Sequence, residues 1–162
     1  MELHSEGVAD ASHENKDNLP QKYLIWMVAQ QRYAVRLSEV REVISMPKVT
    51  DLPVHHHTLK GVFNLRGKII SVADLRSKLS CIKKYESRRP FILAVNIDGQ
   101  EIGTIVDDIA EVTEFHQTDI QSDIENHTHL NARRDYVLGI VVRSEPHNDT
   151  TLILDMKKLV EP

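Results

Sequence analysis

A single cysteine, a single tryptophan and three phenylalanines are all that 162 residues hold of those types. Cys81 therefore has no partner for an internal disulfide, which fits a reducing compartment, and no nucleophile motif surrounds it. Aromatic residues make up only 5%, too few to line a sheet with rings that stack on bases. A net charge of −4 offers nucleic acid no basic face. No apolar run reaches the roughly 18 residues that a membrane-spanning helix requires. The N-terminus lacks the charged start and apolar core of a secretory signal. Neither a Gly-x-Gly-x-x-Gly, a phosphate loop nor a Gly-x-Ser-x-Gly is present. These absences predict a soluble cytoplasmic protein with no direct membrane insertion, no nucleic-acid partner, no cofactor and no catalytic residues.

What is present begins after a polar, acidic leader. Residues 1–20 bury too little apolar surface to offset ordering entropy and are expected to be disordered, with structure starting near Gln21. Residues 23–29 form a continuous apolar run, the pattern of a strand buried on both faces. Gln30-Gln31 reads as a turn, and residues 32–37 return with Tyr33, Val35 and Leu37 in alternation. Ser38 opens a helical turn through Glu42; Val43 and Ile44 resume an extended course that Pro47 ends. Residues 51–60 read as a loop and residues 80–89 as a polar linker. Residues 91–97 are a second buried-type strand, and Asp98-Gly99 is the strongest hairpin dipeptide in the chain. Residues 100–106 are its partner, with Gly103 at a bulge or close-packing site. Residues 109–115, 136–142 and 151–154 complete the strands, with an irregular loop over 116–135. Asp155 caps a short helix over 156–160.

The densest stretch runs from Gly61 to Arg76. Val62, Phe63 and Leu65 form one apolar run and Ile69, Ile70 and Val72 another, with Arg66-Gly67 placed where a two-residue hairpin turn needs positive φ. Asp74 then caps a helical turn that includes Leu75 and Leu79. An arginine on such a tip is presented outward, as a recognition residue or as an ordinary solvated turn residue.

Sliding the chain against itself by 69 residues aligns Leu24 with Leu93, Val28 with Ile97, Ala34 with Gly103, Val40 with Ile109, Glu42 with Glu111 and Val43 with Val112. Gly61 and Gly139 follow at an offset of 78, and Asp74 and Asp155 at 81. The order of features repeats, which predicts two related halves, roughly 21–80 and 90–160, each a small five-stranded antiparallel barrel. Their junction is a natural place for a ligand or partner.

Candidate chemistry is thin. His55-His56-His57 invites a metal-dependent enzyme, yet neighbouring residues in an extended loop point apart, and a solvated loop explains them equally. His127 and His129 stand in the same position. Asp107-Asp108 reads as the end of a strand capping the turn after it. A binding module remains: Val40, Val43 and Ile44 beside Arg41 and Glu42, with the Arg66 hairpin at the sheet edge, suit an amphipathic helix docked in a groove. Core packing accounts for Val40 equally well.

Gly61, Asn64, Leu65, Arg66, Gly67, Asp74, Leu75 and Arg76 together resemble the signature of CheW-like domains. Val40-Arg41-Glu42-Val43 and residues 105–109 are similar to further segments of that family, so the resemblance extends from about 23 to 160. Ser71 departs from the pattern, standing where the family usually has proline. The resemblance implies a mainly β fold of two five-stranded SH3-like barrels packed on a shared core, with short helices, over residues 21–162. It implies a non-enzymatic adaptor of bacterial chemotaxis that couples methyl-accepting receptors to the histidine kinase CheA, recruited to membrane-associated arrays. A CheW-like adaptor of another chemosensory system, such as pilus-driven twitching, is the alternative. No kinase or receiver segment fits in the remaining sequence, which implies the adaptor alone. The receptor-groove positions carried over are Val40, Glu42, Gly61, Asn64, Arg66 and Gly67; the kinase-contact residues are not assigned.

Overall fold

Among the described residues eleven strands arise where apolar residues alternate or run continuously between turn signals. The computed structural model describes residues 19–53, 58–79, 87–125, 134–146 and 148–161. Gln21–Val28 (β1) and Gln31–Arg36 (β2) form a hairpin, and a 3-10 turn at Leu37–Glu39 leads into Val40–Ser45 (β3). Thr50–Asp51 (β4), Leu59–Leu65 (β5) and Lys68–Ala73 (β6) follow, then Phe91–Ile97 (β7), Gln100–Val106 (β8) and Asp108–Phe115 (β9). Val137–Arg143 (β10), Asp149–Leu154 (β11) and a short helix, Met156–Val160 (α1), end the chain.

The strands form a five-stranded sheet ordered β10-β11-β2-β1-β9 and a six-stranded sheet ordered β3-β7-β8-β6-β5-β4. Each sheet draws on both segments of the repeat. The β1–β2 hairpin inserts into the sheet of β9, β10 and β11, and the β7–β8 hairpin inserts into the sheet of β3, β5 and β6. Apart from β4, which has no counterpart strand, replacing each strand by its repeat partner converts one order into the other. The inserted hairpins are joined to their hosts by parallel pairs, Leu152 opposite Tyr33 in one sheet and Ser71 opposite Ile102 in the other. The edge-strand irregularities also correspond: the register shifts between Ile25 and Trp26 against β9, and between Val40 and Glu42 against β7.

This exchange explains why β1 and β7 read as continuous apolar runs. Tyr23 and Ile25 point into the interior of the first sheet with Ala34, Phe115, Val141 and Ile153. Ile92 points into the second with Phe63, Ile70, Val72 and Ile105. The opposite faces of the same strands, Leu24, Trp26 and Val28 on β1 and Leu93 and Val95 on β7, meet in a shared core with Leu75, Leu79, Ile140, Leu152, Leu154, Met156 and Leu159. Fully burying a large side chain of this kind contributes about 1.5–3 kcal/mol, so the shared core binds the two subdomains strongly.

Several expectations are corrected. The first turn falls at Ala29-Gln30, both at positive φ, one residue earlier than Gln30-Gln31. The segment around Ser38 is a 3-10 turn without a side-chain cap, and extended structure resumes at Val40 rather than Val43. The loop over 51–60 begins with the last residue of β4. Asp74 accepts a bond from the Arg76 N–H at 3.1 Å, and a turn with a Leu79 N–H to Leu75 O bond of 2.9 Å stands where a capped helix was expected. Asp155 does cap α1, accepting from the Lys158 N–H at 3.2 Å. The two-subdomain β fold stands, but the sheets hold five and six strands and their backbone ladders do not close into barrels.

Candidate functional site

The hairpin tip is built as its residues dictate. Arg66 and Gly67 adopt φ of 52° and 87°, the two positive values that a tight turn between twisted strands demands. The Asn64 side-chain oxygen accepts the Gly67 N–H at 2.8 Å, which rigidifies the tip. The same device recurs at the β7–β8 turn, where Asn96 accepts from Gly99 at 2.9 Å.

Arg66 is thereby aimed across the sheet at β3. Its two terminal nitrogens donate to the two oxygens of Glu42 at 2.8 and 2.9 Å, a bidentate pair. Its side chain is 76% exposed, against 28% for Glu42. This clamp joins the edge strand β3 to the β5–β6 tip, and so closes by side chains a sheet that the backbone leaves open. Val40 packs against the shared core, while Val43, on the core-side face of the same strand opposite Leu93, is 40% exposed. Val43 therefore carries the apolar surface of the shared core out to solvent beside the clamp. In the 3-10 turn before Val40, burial raises the Glu39 carboxyl above its ordinary range, with Arg36 opposing the rise.

Gly61 serves the neighbouring strand. A Cβ there would lie 2.2 Å from the Thr50 carbonyl oxygen and 2.8 Å from Val49 Cγ1, so the glycine is what allows β4 to approach β5. Of the six groove positions read from the sequence, Glu42, Asn64, Arg66 and Gly67 thus converge on one clamp. Val40 lies on the core side of it and Gly61 at the far edge.

Two polar constructions escaped the sequence reading. Asp107, nearly buried, accepts from Arg76 Nη2 at 2.5 Å through one oxygen and from the Ala29 N–H at 2.8 Å through the other. It caps the β1–β2 turn, not the turn after itself, and ties Arg76 of the signature to the opposite subdomain. On the first sheet, Glu111 receives Arg32 at 2.7 Å and Arg143 at 3.7 Å. Arg143 also donates to Thr113 Oγ1 at 2.8 Å and lies over the Phe115 ring, closing that sheet between β9 and β10. The alignment of Glu42 with Glu111 was the available signal for this second closure.

Among the described residues no group of three or more His, Cys, Asp or Glu is arranged to hold a metal ion. His55–His57, His127, His129 and Cys81 lie outside the described residues. Among the described residues no helix is long and apolar enough to cross a membrane.

Fold and site together define a duplicated β protein of two subdomains with exchanged hairpins, whose signature residues brace a turn and clamp a sheet edge. The chain belongs to the CheW-like domain family, whose model matches residues 22–161. It is 31% identical over 103 residues to the chemotaxis protein CheW of Bacillus subtilis, covering 63% of this chain and 65% of that protein. It is 24% identical over 138 residues to the CheW of Treponema pallidum, covering 83% and 78%. The crystal structure of the scaffolding protein TtCheW from Thermoanaerobacter tengcongensis superposes with a TM-score of 0.76 at 27% identity, covering 93% of this chain and 94% of that one.

Proposed function

We propose that this protein is a non-enzymatic chemotaxis adaptor that couples methyl-accepting receptors to the histidine kinase CheA. The observation that carries the reading is the match to the CheW-like family along nearly all of the chain, with Asn64, Arg66 and Gly67 of its signature assembled with Glu42 into one clamp. The adaptor works in the cytoplasm, recruited to receptor arrays, and needs no cofactor. The receptor's helical tip docks where Val43 and Val40 bring apolar surface to the sheet edge, bounded by the Glu42–Arg66 pair, with Asn64 and Gly67 holding the arginine and Gly61 holding β4 in place. A shallow apolar strip rimmed by a fixed charge pair suits an amphipathic helix, with apolar contact supplying affinity and the charges setting register. Contacts of this size are modest and reversible, as signalling requires.

The decisive experiment is reconstitution of kinase, receptor fragment and this protein. Kinase activity rises only when all three are present. Equal activity with the protein omitted would remove the coupling role.

A further inference from the structure

Apart from β4 the two sheets match strand for strand, so a position in one names its counterpart in the other. Leu152 and Tyr33 face each other across the first parallel pair, as Ser71 and Ile102 do across the second. Leu154 opposite Val137 corresponds to Ala73 opposite Leu59. Tyr136 accepts the Asp155 N–H at 2.8 Å as Thr58 accepts the Asp74 N–H at 2.8 Å. In the first sheet this neighbourhood is filled: Tyr33, Leu152 and Leu154 are buried in the shared core, and Tyr136 packs against it. In the second sheet the counterparts are Ile102, Ser71, Ala73 and Thr58, all smaller. They line an open pocket of about 310 Å³ together with Leu59, Gln100 and Val160 of α1.

The pocket is therefore the space of side chains that the duplicated plan provides elsewhere and omits here. Two phenol rings and two isobutyl groups are replaced by much smaller side chains, and the remaining lining is mainly aliphatic. Voids of this kind forfeit dispersion contacts and are filled favourably by an apolar group of matching shape. From this correspondence we infer that the pocket between β6, β8 and α1 is a binding site for a phenyl or phenol ring. The Ser71 hydroxyl in the lining favours a ring with a polar substituent. The site is separate from the Glu42–Arg66 clamp.

The probe is p-cresol, read by the methyl NMR signals of Leu59, Ala73, Ile102 and Val160. Titration of the full chain is expected to move these signals saturably. In the double variant Ser71→Leu/Ala73→Leu, which installs the side chains of the first sheet, the affinity falls by at least about tenfold. Its melting temperature is unchanged or higher, because a void has been filled. Ile102→Tyr provides the same blockade through one substitution and serves if the double variant does not fold. No saturable movement in the unsubstituted chain, or equal binding in the filled variants, overturns the site. A second arm distinguishes a partner's aromatic side chain from a free small aromatic molecule. Loss of receptor-fragment or kinase binding in the presence of p-cresol identifies a partner's ring, and retained binding identifies a free ligand. Only this arm rests on the adaptor reading; the cresol titration stands without it.

Discussion

The two subdomains share one plan and differ in how each is fastened. In the first sheet Glu111 is held by both Arg32 and Arg143, and Arg143 is further fixed by Thr113 and the Phe115 ring. In the second, Glu42 has a bidentate hold on Arg66 alone, and that arginine stands exposed on a rigid tip. The subdomain latches differ in the opposite sense. Arg76 reaches Asp107 at the β1–β2 turn in a pair whose carboxylate side is only 4% exposed. Its counterpart Lys157 reaches Asp98 at the β7–β8 turn at 2.6 Å, with both side chains mostly in water. Divergence made one closure a network of two arginines on one carboxylate and the other a single arginine displayed on a turn. The displayed one carries the family signature.

The largest effect expected from breaking this comparison is at the buried latch. Asp107→Ala strands the Arg76 guanidinium and removes the acceptor of the Ala29 N–H. The cost is about 3 kcal/mol in urea unfolding, because an unpaired buried charge is penalised far more than a pair is worth. A shift no larger than that of a surface substitution would show that the carboxylate is not structurally required.

Next is the paired glycine test. Gly61→Ala drives a methyl group onto the Thr50 backbone carbonyl and is expected to cost about 2 kcal/mol. Gly139→Ala meets the Ile120 side-chain methyl at 2.3 Å, which has more freedom to move, and costs less. Thermal melts of the two variants rank them, and a reversed order would deny that β4 is held through Gly61.

Arg66→Ala is expected to weaken receptor-fragment binding about tenfold, or roughly 1.4 kcal/mol, while leaving the melting temperature nearly unchanged. Arg143→Ala, which removes one arginine of the Glu111 network and its place over the Phe115 ring, lowers stability without changing receptor affinity. Calorimetric titration of both variants separates the roles; equal effects on affinity would place the groove elsewhere.

The smallest effect is at the open latch. Contact with Asp98 raises the Lys157 pKa above its usual 10.5, first through the hydrogen bond and then through its charge. A raised lysine pKa contributes stability that is fully present below the unfolded value and lost only as pH rises through the folded one. Lys157→Ala therefore leaves the urea midpoint unmoved within error at every pH, because a fully exposed pair is screened by water. A pH-dependent loss near neutrality would contradict this assignment.

Much of the architecture is legible in the sequence. The apolar runs at β1 and β7, the Arg66-Gly67 and Asp98-Gly99 turns and the Asp155 cap follow from side-chain periodicity and φ preference, which are local. The repeat offsets of 69, 78 and 81 already paired Glu42 with Glu111 and Gly61 with Gly139. The turn at Ala29-Gln30 was misplaced because no glycine or asparagine marks it; Asp107, 78 residues away, provides its capping oxygen.

The sequence by itself thus determined the order of ten of the strands, the two-fold plan and the residues of the hairpin tip, but not the short strand β4. These depend on local periodicity and turn chemistry. Only the tertiary structure decided that each hairpin inserts into the other half's sheet, since a strand buried on both faces does not say which neighbours bury it. The structure likewise gave Arg66 its partner in Glu42 and Arg76 its partner in Asp107. Charge pairing across 24 and 31 residues depends on where the sheets bring the chain together.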